Sequence, residues 1–350
     1  MSKVTIKMIA NKMNLSVSTV NRALINKGRI NEKTKEKVLK VANEMGYRPN
    51  PQAKSLSSKD ALKIAVICPN DFYFQKVIEG IEAYRQENEG YRLELVYKCR
   101  ESHSLPGQLA ALRECAENGV NGILISPVHP VLLNDEIRNF SKLGIPTVTF
   151  NNDTVESDRI AYVGQNGRLA GAMAGELMSR FLKPGDKVAY MATDSIALGL
   201  KERTDAFYKA IAESDRRIEC CGPFEYQDSW DIKDAVDFTA NMLAAQKING
   251  VYANNMFGTY ALAYAIKKKR LAREVVAIGH DSNIEIEGFI RDGILSATLL
   301  QNPFLQGYQS LKLMFEHLYL KKQITQPLTY IRTVVLMQSN LEENNGAGYL

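Results

Sequence analysis

Apolar residues along this chain are spaced in two different ways, and the change falls near residue 61. Before it they recur at helical intervals. Ile6, Ile9, Ala10 and Met13 follow Thr5, a hydroxyl able to cap a helix start. After a short Asn14-Leu15 corner, Ser16 offers a second cap, and Val20 and Leu24 share a face opposite Val17, Ser18, Asn21 and Arg22. Asn tolerates the left-handed backbone that so sharp a corner needs. The pattern predicts two short helices in a helix-turn-helix arrangement. Asn26-Lys27-Gly28-Arg29 reads as a turn, Asn31 as the cap of a third helix bearing Val38, Val41, Ala42 and Met45, and Gly46 as its stop. Ile6, Ile9, Val20, Leu24, Val38 and Met45 are the expected core of this module. Residues 47–58 then read as a linker in which Asn50-Pro51 can start one or two helical turns, with Ala53 and Leu56 on one face. So short a helix forms only when docked.

From Ala61 the apolar residues gather into short runs bounded by turn formers. Residues 63–68, 93–97, 122–126, 146–150 and 160–164 read as buried strands, with helices such as 74–87 and 105–118 between them. A second series follows at 187–191, near 219–224, and at 250–253, 275–279 and 297–300. Strands alternating with helices predict parallel, doubly wound sheets, and two series predict two lobes. Ligands of such sheets bind beyond the carboxyl ends of the strands. The strands here end in Pro69-Asn70-Asp71-Phe72, Asn151-Asn152-Asp153, Gln165-Asn166, Asn254-Asn255, His280-Asp281 and Gln301-Asn302. Any one of these could be a turn former. Six in register with six strand ends, with Arg203, Tyr226 and Trp230, suggest a cleft lined by amides, carboxylates and rings, suited to a small polyhydroxylated ligand.

Charge sharpens the picture of the first module. Residues 1–60 hold thirteen Lys and Arg against four Asp and Glu, whereas the remainder carries a net charge of −4. A basic module on a mildly acidic body is the footprint of a phosphate-backbone binder, and the second helix of the corner motif is the element that would enter a DNA major groove. No apolar run approaches a membrane span, and Lys3, Lys7, Asn11 and Lys12 interrupt any export signal. Five cysteines without a CxxC pair argue against a disulfide framework or zinc ribbon and fit a reducing cytoplasm. No GxSxG, P-loop or GxGxxG follows a strand, and His103, His129, His280 and His317 have no metal-ligand spacing. His280 and Asp281 are adjacent on a strand and so point to opposite faces. An enzyme is not expected, nor a metal or cofactor.

Longer motifs carry a resemblance. Val4-Thr5-Ile6, Ile9-Ala10, Leu15-Ser16, Thr19-Val20-Asn21-Arg22 and Asn26, then Thr34-Lys35-Glu36-Lys37-Val38, Gly46-Tyr47-Arg48-Pro49-Asn50 and Ala53-Lys54-Ser55-Leu56, resemble the LacI/GalR family of bacterial transcription regulators. The body resembles that family's effector domain, of the type shared with ribose- and related sugar-binding proteins of bacterial transport. The resemblance implies a helix-turn-helix domain over 1–48, a hinge helix over 49–60, a two-lobed periplasmic-binding-protein-like α/β domain over 61–340, and a tail over 341–350. It places the first lobe at about 61–162 and 293–325, and the second at about 163–292 and 326–340.

Several roles follow from the same resemblance. Val17, Ser18 and Arg22 would face base edges, Arg22 as the bidentate partner of a guanine. Thr5, Ser16, Thr19, Asn21 and Asn26 would position the module on DNA, and Ala53, Lys54 and Leu56 would form the hinge, with Leu56 as a minor-groove wedge. In the cleft, Arg203, Asn255, Asp281 and Gln301 match polar ligand contacts, and Tyr226, Phe72 and Phe74 match aromatic ones; Asn70, Asn151, Asn152 and Trp230 complete the expected set. Met256 stands where Asp is usual beside the asparagine, Asn151-Asn152 where some sugar binders have Asp-Arg, Asn21 for the commoner serine and Asn14 for the commoner glycine. The expected function is a repressor that binds a palindromic operator in double-stranded DNA as a homodimer and senses a small sugar or polyol; a transport-type sugar receptor, or a regulator sensing a purine or nucleoside, are the alternatives.

Overall fold

The computed structural model describes residues 4–25, 30–45, 61–99, 103–193, 196–227 and 230–344. Gly46, Asn26 and the hinge residues Ala53, Lys54 and Leu56 lie outside the described residues, as does the side chain of Asn21. The chain divides into two compact units, residues 1–59 and 60–350.

The first unit holds α1 (Ile6–Met13), α2 (Val17–Ile25) and α3 (Glu32–Glu44). Thr5 Oγ1 accepts from the Met8 amide and Asn31 Oδ1 from the Lys33 amide, so both predicted caps form. Asn14 sits at φ 52°, the left-handed corner between α1 and α2. Ser16 Oγ accepts from the Thr19 amide at 3.1 Å, which starts α2. Ile9, Ala10, Val20, Ala23, Val38 and Ala42 are buried together, with Ile6, Leu24 and Met45 packed around them.

The second unit contains two six-stranded sheets. The first is built from β1 (Leu62–Ile67), β2 (Leu93–Lys98), β3 (Gly122–Ile125), β4 (Thr147–Phe150), β5 (Ala161–Gln165) and β11 (Leu328–Ile331), in the order β11-β5-β4-β3-β1-β2. The second comprises β6 (Lys187–Thr193), β7 (Glu219–Tyr226), β8 (Gly250–Ala253), β9 (Val276–His280), β10 (Ala297–Leu300) and β12 (Val334–Leu336), in the order β12-β10-β9-β8-β6-β7. All pairs are parallel except β10 with β12.

Strand alternation sorts each core into two faces. Ile64 and Val66 of β1 pack with Phe74, Val77 and Ile81 of α4 (Phe72–Glu87) and with Leu311, Met314 and Phe315 of α12 (Pro303–Leu318). Ala65 and Ile67 turn the other way, onto Leu112 and Cys115 of α5 (Leu105–Glu117) and Ile137 and Phe140 of α6 (Asn134–Lys142). In the second lobe, Val188 and Tyr190 of β6 meet α7 (Gly167–Phe181) and α8 (Leu198–Ala212). Ala189 and Met191 meet α9 (Ile232–Ala245), α10 (Met256–Lys269) and α11 (Ile284–Arg291).

The chain changes lobe at different points from those expected. β10 joins the second sheet, not the first, and β11 joins the first, not the second. Hydrophobic runs identify strands but carry no information about which sheet they join. Leu341 is buried in the second lobe's core, so the body runs to the helical turn Leu341–Asn344 rather than ending at residue 340.

One packing detail positions the site. Gly167, Gly171 and Gly175 lie along one side of α7, against Gly199, Arg203 and Phe207 of α8. A Cβ on Gly171 would stand 2.2 Å from the Arg203 carbonyl oxygen. The absence of that carbon lets α8 lie close enough to hold Arg203 where the two lobes meet.

Candidate functional sites: an exposed helix and an interlobe cleft

In the first unit the face of α2 opposite its core is open. Val17 is 49% exposed, and Ser18 and Arg22 are exposed. Ser16 Oγ lies 2.8 Å from Ser18 Oγ and 2.7 Å from Thr19 Oγ1, while Arg22 Nε donates to the Ser18 carbonyl at 3.3 Å. The hydroxyls thus cluster at the start of the helix, with the guanidinium one turn along the same face.

In the second unit a cavity of about 340 Å³ opens between the carboxyl ends of the two sheets. Asp71, Tyr73, Phe74, Asn151, Asn152, Tyr162 and Gln165 line it from the first lobe. Leu200, Arg203, Asn255, Met256, Phe257, Asp281 and Gln301 line it from the second. Arg203 is 5% exposed. Its Nη1 donates to the Asn254 carbonyl at 2.7 Å and its Nη2 to Gln301 Oε1 at 3.0 Å. Gln301 Nε2 passes the interaction on to Asp281 Oδ1 at 2.9 Å. Burial pushes the Asp281 carboxyl up, while Arg203 and the Gln301 hydrogen bond draw it back toward ionisation. His280 beside it is held neutral, well below its ordinary range, by burial and by Arg203, and its Nε2 meets the Tyr252 hydroxyl at 2.5 Å.

Three groups keep hydrogen-bonding capacity in hand. Both side-chain atoms of Gln165 and Nε of Arg203 are buried without a partner. The Tyr73 oxygen accepts from Asn151 Nδ2 at 2.8 Å and Gln306 Nε2 at 3.1 Å. Two acceptances fill its lone pairs and leave the phenol proton to donate; burial keeps that phenol protonated. Asn255 Oδ1 accepts from the Tyr226 hydroxyl and the Gly258 amide, both at 2.7 Å, which turns its Nδ2 away from both. Buried groups of this kind are costly unless something fills them.

Of the residues anticipated from sequence, Phe74, Asn151, Asn152, Arg203, Asn255, Asp281 and Gln301 come together here. Asn70 and Phe72 do not: both are exposed, Phe72 by 50%, and Asp71, Tyr73 and Phe74 occupy the cavity edge instead. Asp71 caps α4 through the Phe74 amide, and that geometry turns the ring of residue 74 inward rather than that of residue 72. Tyr226 is 1% exposed and lies behind Asn255, supporting it instead of facing the cavity. Trp230 packs edge-on against Phe238, and its indole donates to Gln227 at 3.2 Å, away from the lining. Tyr73 and Tyr162 carry no strand-end signal, because one lies inside a helix and the other inside a strand. Gln165 was visible as a strand-end amide but not singled out. Several other strand-end residues serve as helix caps: Asn166 for α7 and Asn302 for α12, each accepting from the amide three residues on.

Both parts of the chain match known protein domains. Residues 64–322 match the periplasmic binding protein domain and residues 5–50 the bacterial regulatory proteins of the lacI family. The ribose operon repressor of Bacillus subtilis is 25% identical over 343 residues, covering 93% of this chain and 97% of that one. The ribose import binding protein of Salmonella typhimurium is 21% identical over 248 residues, covering 70% of this chain and 80% of that one. In fold, a glucose-galactose binding protein from Geobacillus stearothermophilus superposes with a TM-score of 0.72 at 23% identity, covering 81% of this chain and 99% of that one. Among the described residues, no helix is long and apolar enough to cross a membrane.

Proposed function

This chain belongs to the family built on the periplasmic binding protein domain and carries a lacI-type regulatory domain at its N-terminus, and from that premise we propose a repressor that binds a palindromic operator as a homodimer and releases or grips it according to a small sugar or polyol in the interlobe cleft. The chain is a ligand-responsive DNA-binding regulator and not an enzyme, in keeping with the regulators and binding proteins to which it is similar.

The observation that carries the ligand class is the convergence of unfilled polar groups between aromatic rings. Gln165, Arg203 Nε and the Tyr73 proton supply donors and acceptors around a cavity bordered by Phe74 on one side and Phe257 on the other. Hydroxyl groups both donate and accept, and the C–H faces of a sugar pack on rings. Among the described residues, the charged lining is one cation, Arg203, against the carboxyls Asp71 and Asp281. That balance favours a neutral ligand over a sugar phosphate. Two lobes closing on it would change the spacing of the paired hinges, which is how cleft and operator are coupled.

Trp230 does not line the cavity, so calorimetry is a better readout than its fluorescence. Titration with pentoses, hexoses, polyols and nucleosides should yield a neutral polyhydroxylated compound with micromolar or tighter affinity, and the same compound should change an operator gel shift. Heat from nucleosides alone would replace the sugar reading with a base-stacking one.

On the DNA side, Val17, Ser18 and Arg22 are proposed to face base edges and Thr5, Ser16 and Thr19 the phosphates. Arg22→Ala should weaken operator binding by about tenfold to hundredfold and relax preference at one symmetric pair of positions, without lowering thermal stability. Selection of operator variants by the two proteins would check this. An unchanged base preference would remove Arg22 from the reading set.

A further inference from the structure

Cys68 and Cys99 are two of the five cysteines, and nothing in DNA reading or ligand binding uses them. Cys68 immediately follows β1 and Cys99 immediately follows β2. The parallel register pairs Ile67 with Lys98, so the next residues on each strand stand opposite each other on the same face. Their sulfurs lie 3.8 Å apart. Neighbouring strands are spaced at about 4.8 Å, inside the range of Cα separations, about 4.4–6.8 Å, that a disulfide spans. Cys68 is fully buried and Cys99 is partly exposed, which gives the pair one thiol that a reagent can reach and one that it cannot.

We propose that Cys68 and Cys99 form a reversible disulfide on exposure to hydroperoxides, and that this bond resets the first loop of the ligand cleft. The Cys99 thiolate attacks the peroxide, the O–O bond breaks, and a sulfenic acid forms with release of an alcohol or water. The Cys68 thiol then attacks the Cys99 sulfur, the S–O bond breaks, and the hydroxyl leaves with the Cys68 proton as water. The hydrogen bond from Cys68 holds Cys99 down to about 7, which suits it to attack first; the same Cys99 thiolate holds Cys68 up, and oxidation of Cys99 removes that thiolate, so Cys68 can give up its proton as it attacks. Closing the gap from 3.8 Å to about 2.05 Å pulls on the residue directly before Pro69-Asn70-Asp71. That loop delivers Asp71, Tyr73 and Phe74 to the cavity. The inference does not depend on which ligand the cleft takes.

Cys220 and Cys221, adjacent on the edge strand β7, would confuse thiol counts, so the full chain should carry Cys220→Ser and Cys221→Ser. Treatment with stoichiometric hydrogen peroxide should produce a Cys68–Cys99 cross-linked peptide lacking two hydrogens, which dithiothreitol reverses. Amides 70–75 should exchange with deuterium severalfold more slowly in the oxidised form. Adding Cys68→Ser should trap Cys99 as a sulfenic acid that dimedone labels. Peroxide that leaves both cysteines as thiols, or takes Cys99 to the sulfinic acid without a cross-link, would overturn the pair. A cross-link with unchanged exchange at 70–75 would overturn its link to the cleft.

Discussion

Arg203→Met is expected to lose ligand binding by a hundredfold or more and to weaken folding by about 3–5 kcal/mol, because it leaves a buried carboxylate without its cation. The variant removes donors to Gln301 and to the Asn254 carbonyl, and it strips Asp281 of the charge that draws its carboxyl toward ionisation. Met fills similar apolar volume, so the loss is mainly electrostatic. The sign of its pH dependence follows. Asp281 already titrates above its ordinary value, and losing Arg203 raises it further. A raised carboxyl is most favourable when protonated, below the ordinary carboxylate range, and costs stability as pH rises through the shifted value. The penalty of Arg203→Met should therefore be largest at neutral pH and shrink in acid. Denaturant melts from pH 4 to 8, with calorimetry at neutral pH, would test both parts. A pH-independent penalty would mean that Arg203 acts by packing alone.

Gly171→Ala should also weaken binding, with no change to any polar group of the site. Its new carbon would lie 2.2 Å from the Arg203 carbonyl oxygen and 2.8 Å from the Arg203 Cα, atoms of backbone that cannot rotate away. Helices α7 and α8 must separate, and overpacking of this kind costs about 1–3 kcal/mol. The displacement carries the guanidinium off Gln301 and Asn254, so ligand affinity should fall at least tenfold. Gly288→Ala is the control. It lies within α11, a Cβ there meets nothing within 4 Å, and the variant should gain about 0.5–1 kcal/mol from helix propensity with binding intact. Equal ligand affinity in Gly171→Ala and the parent would show that α8 does not position Arg203 through this contact.

Much of this architecture was written locally. Asn14 at its left-handed corner, Ser16 and Asn31 at their helix starts, and the fully buried runs at 64–67 of β1 and along β3 and β4 are short-range signals that the structure keeps. The cleft was legible as far as polar residues mark strand ends, and Asn151, Asn255, Asp281 and Gln301 meet there. Tyr73 and Tyr162 were not, because nothing local distinguishes a tyrosine aimed at a cavity from one in a core. Trp230 and Tyr226 mislead for the opposite reason: a ring near a strand end has apolar company to bury against, Phe238 in one case and Phe257 in the other. Strands β11 and β12 escaped notice because each is only three or four residues long and half exposed.

Those two short strands govern how the protein can be made. β11 completes the first sheet along the edge of β5, and β12 completes the second along β10. Neither can form before residues 328–336 have left the ribosome. Until then β5 and β10 each present an unpaired row of backbone groups, the feature by which nascent sheets find wrong partners. The last strands to be synthesised therefore act as covers for both edges, and a transcript truncated before them would yield two lobes, each open along one side. A chain truncated before residue 328 is therefore expected to aggregate more readily than the full chain, which light scattering of the two would check.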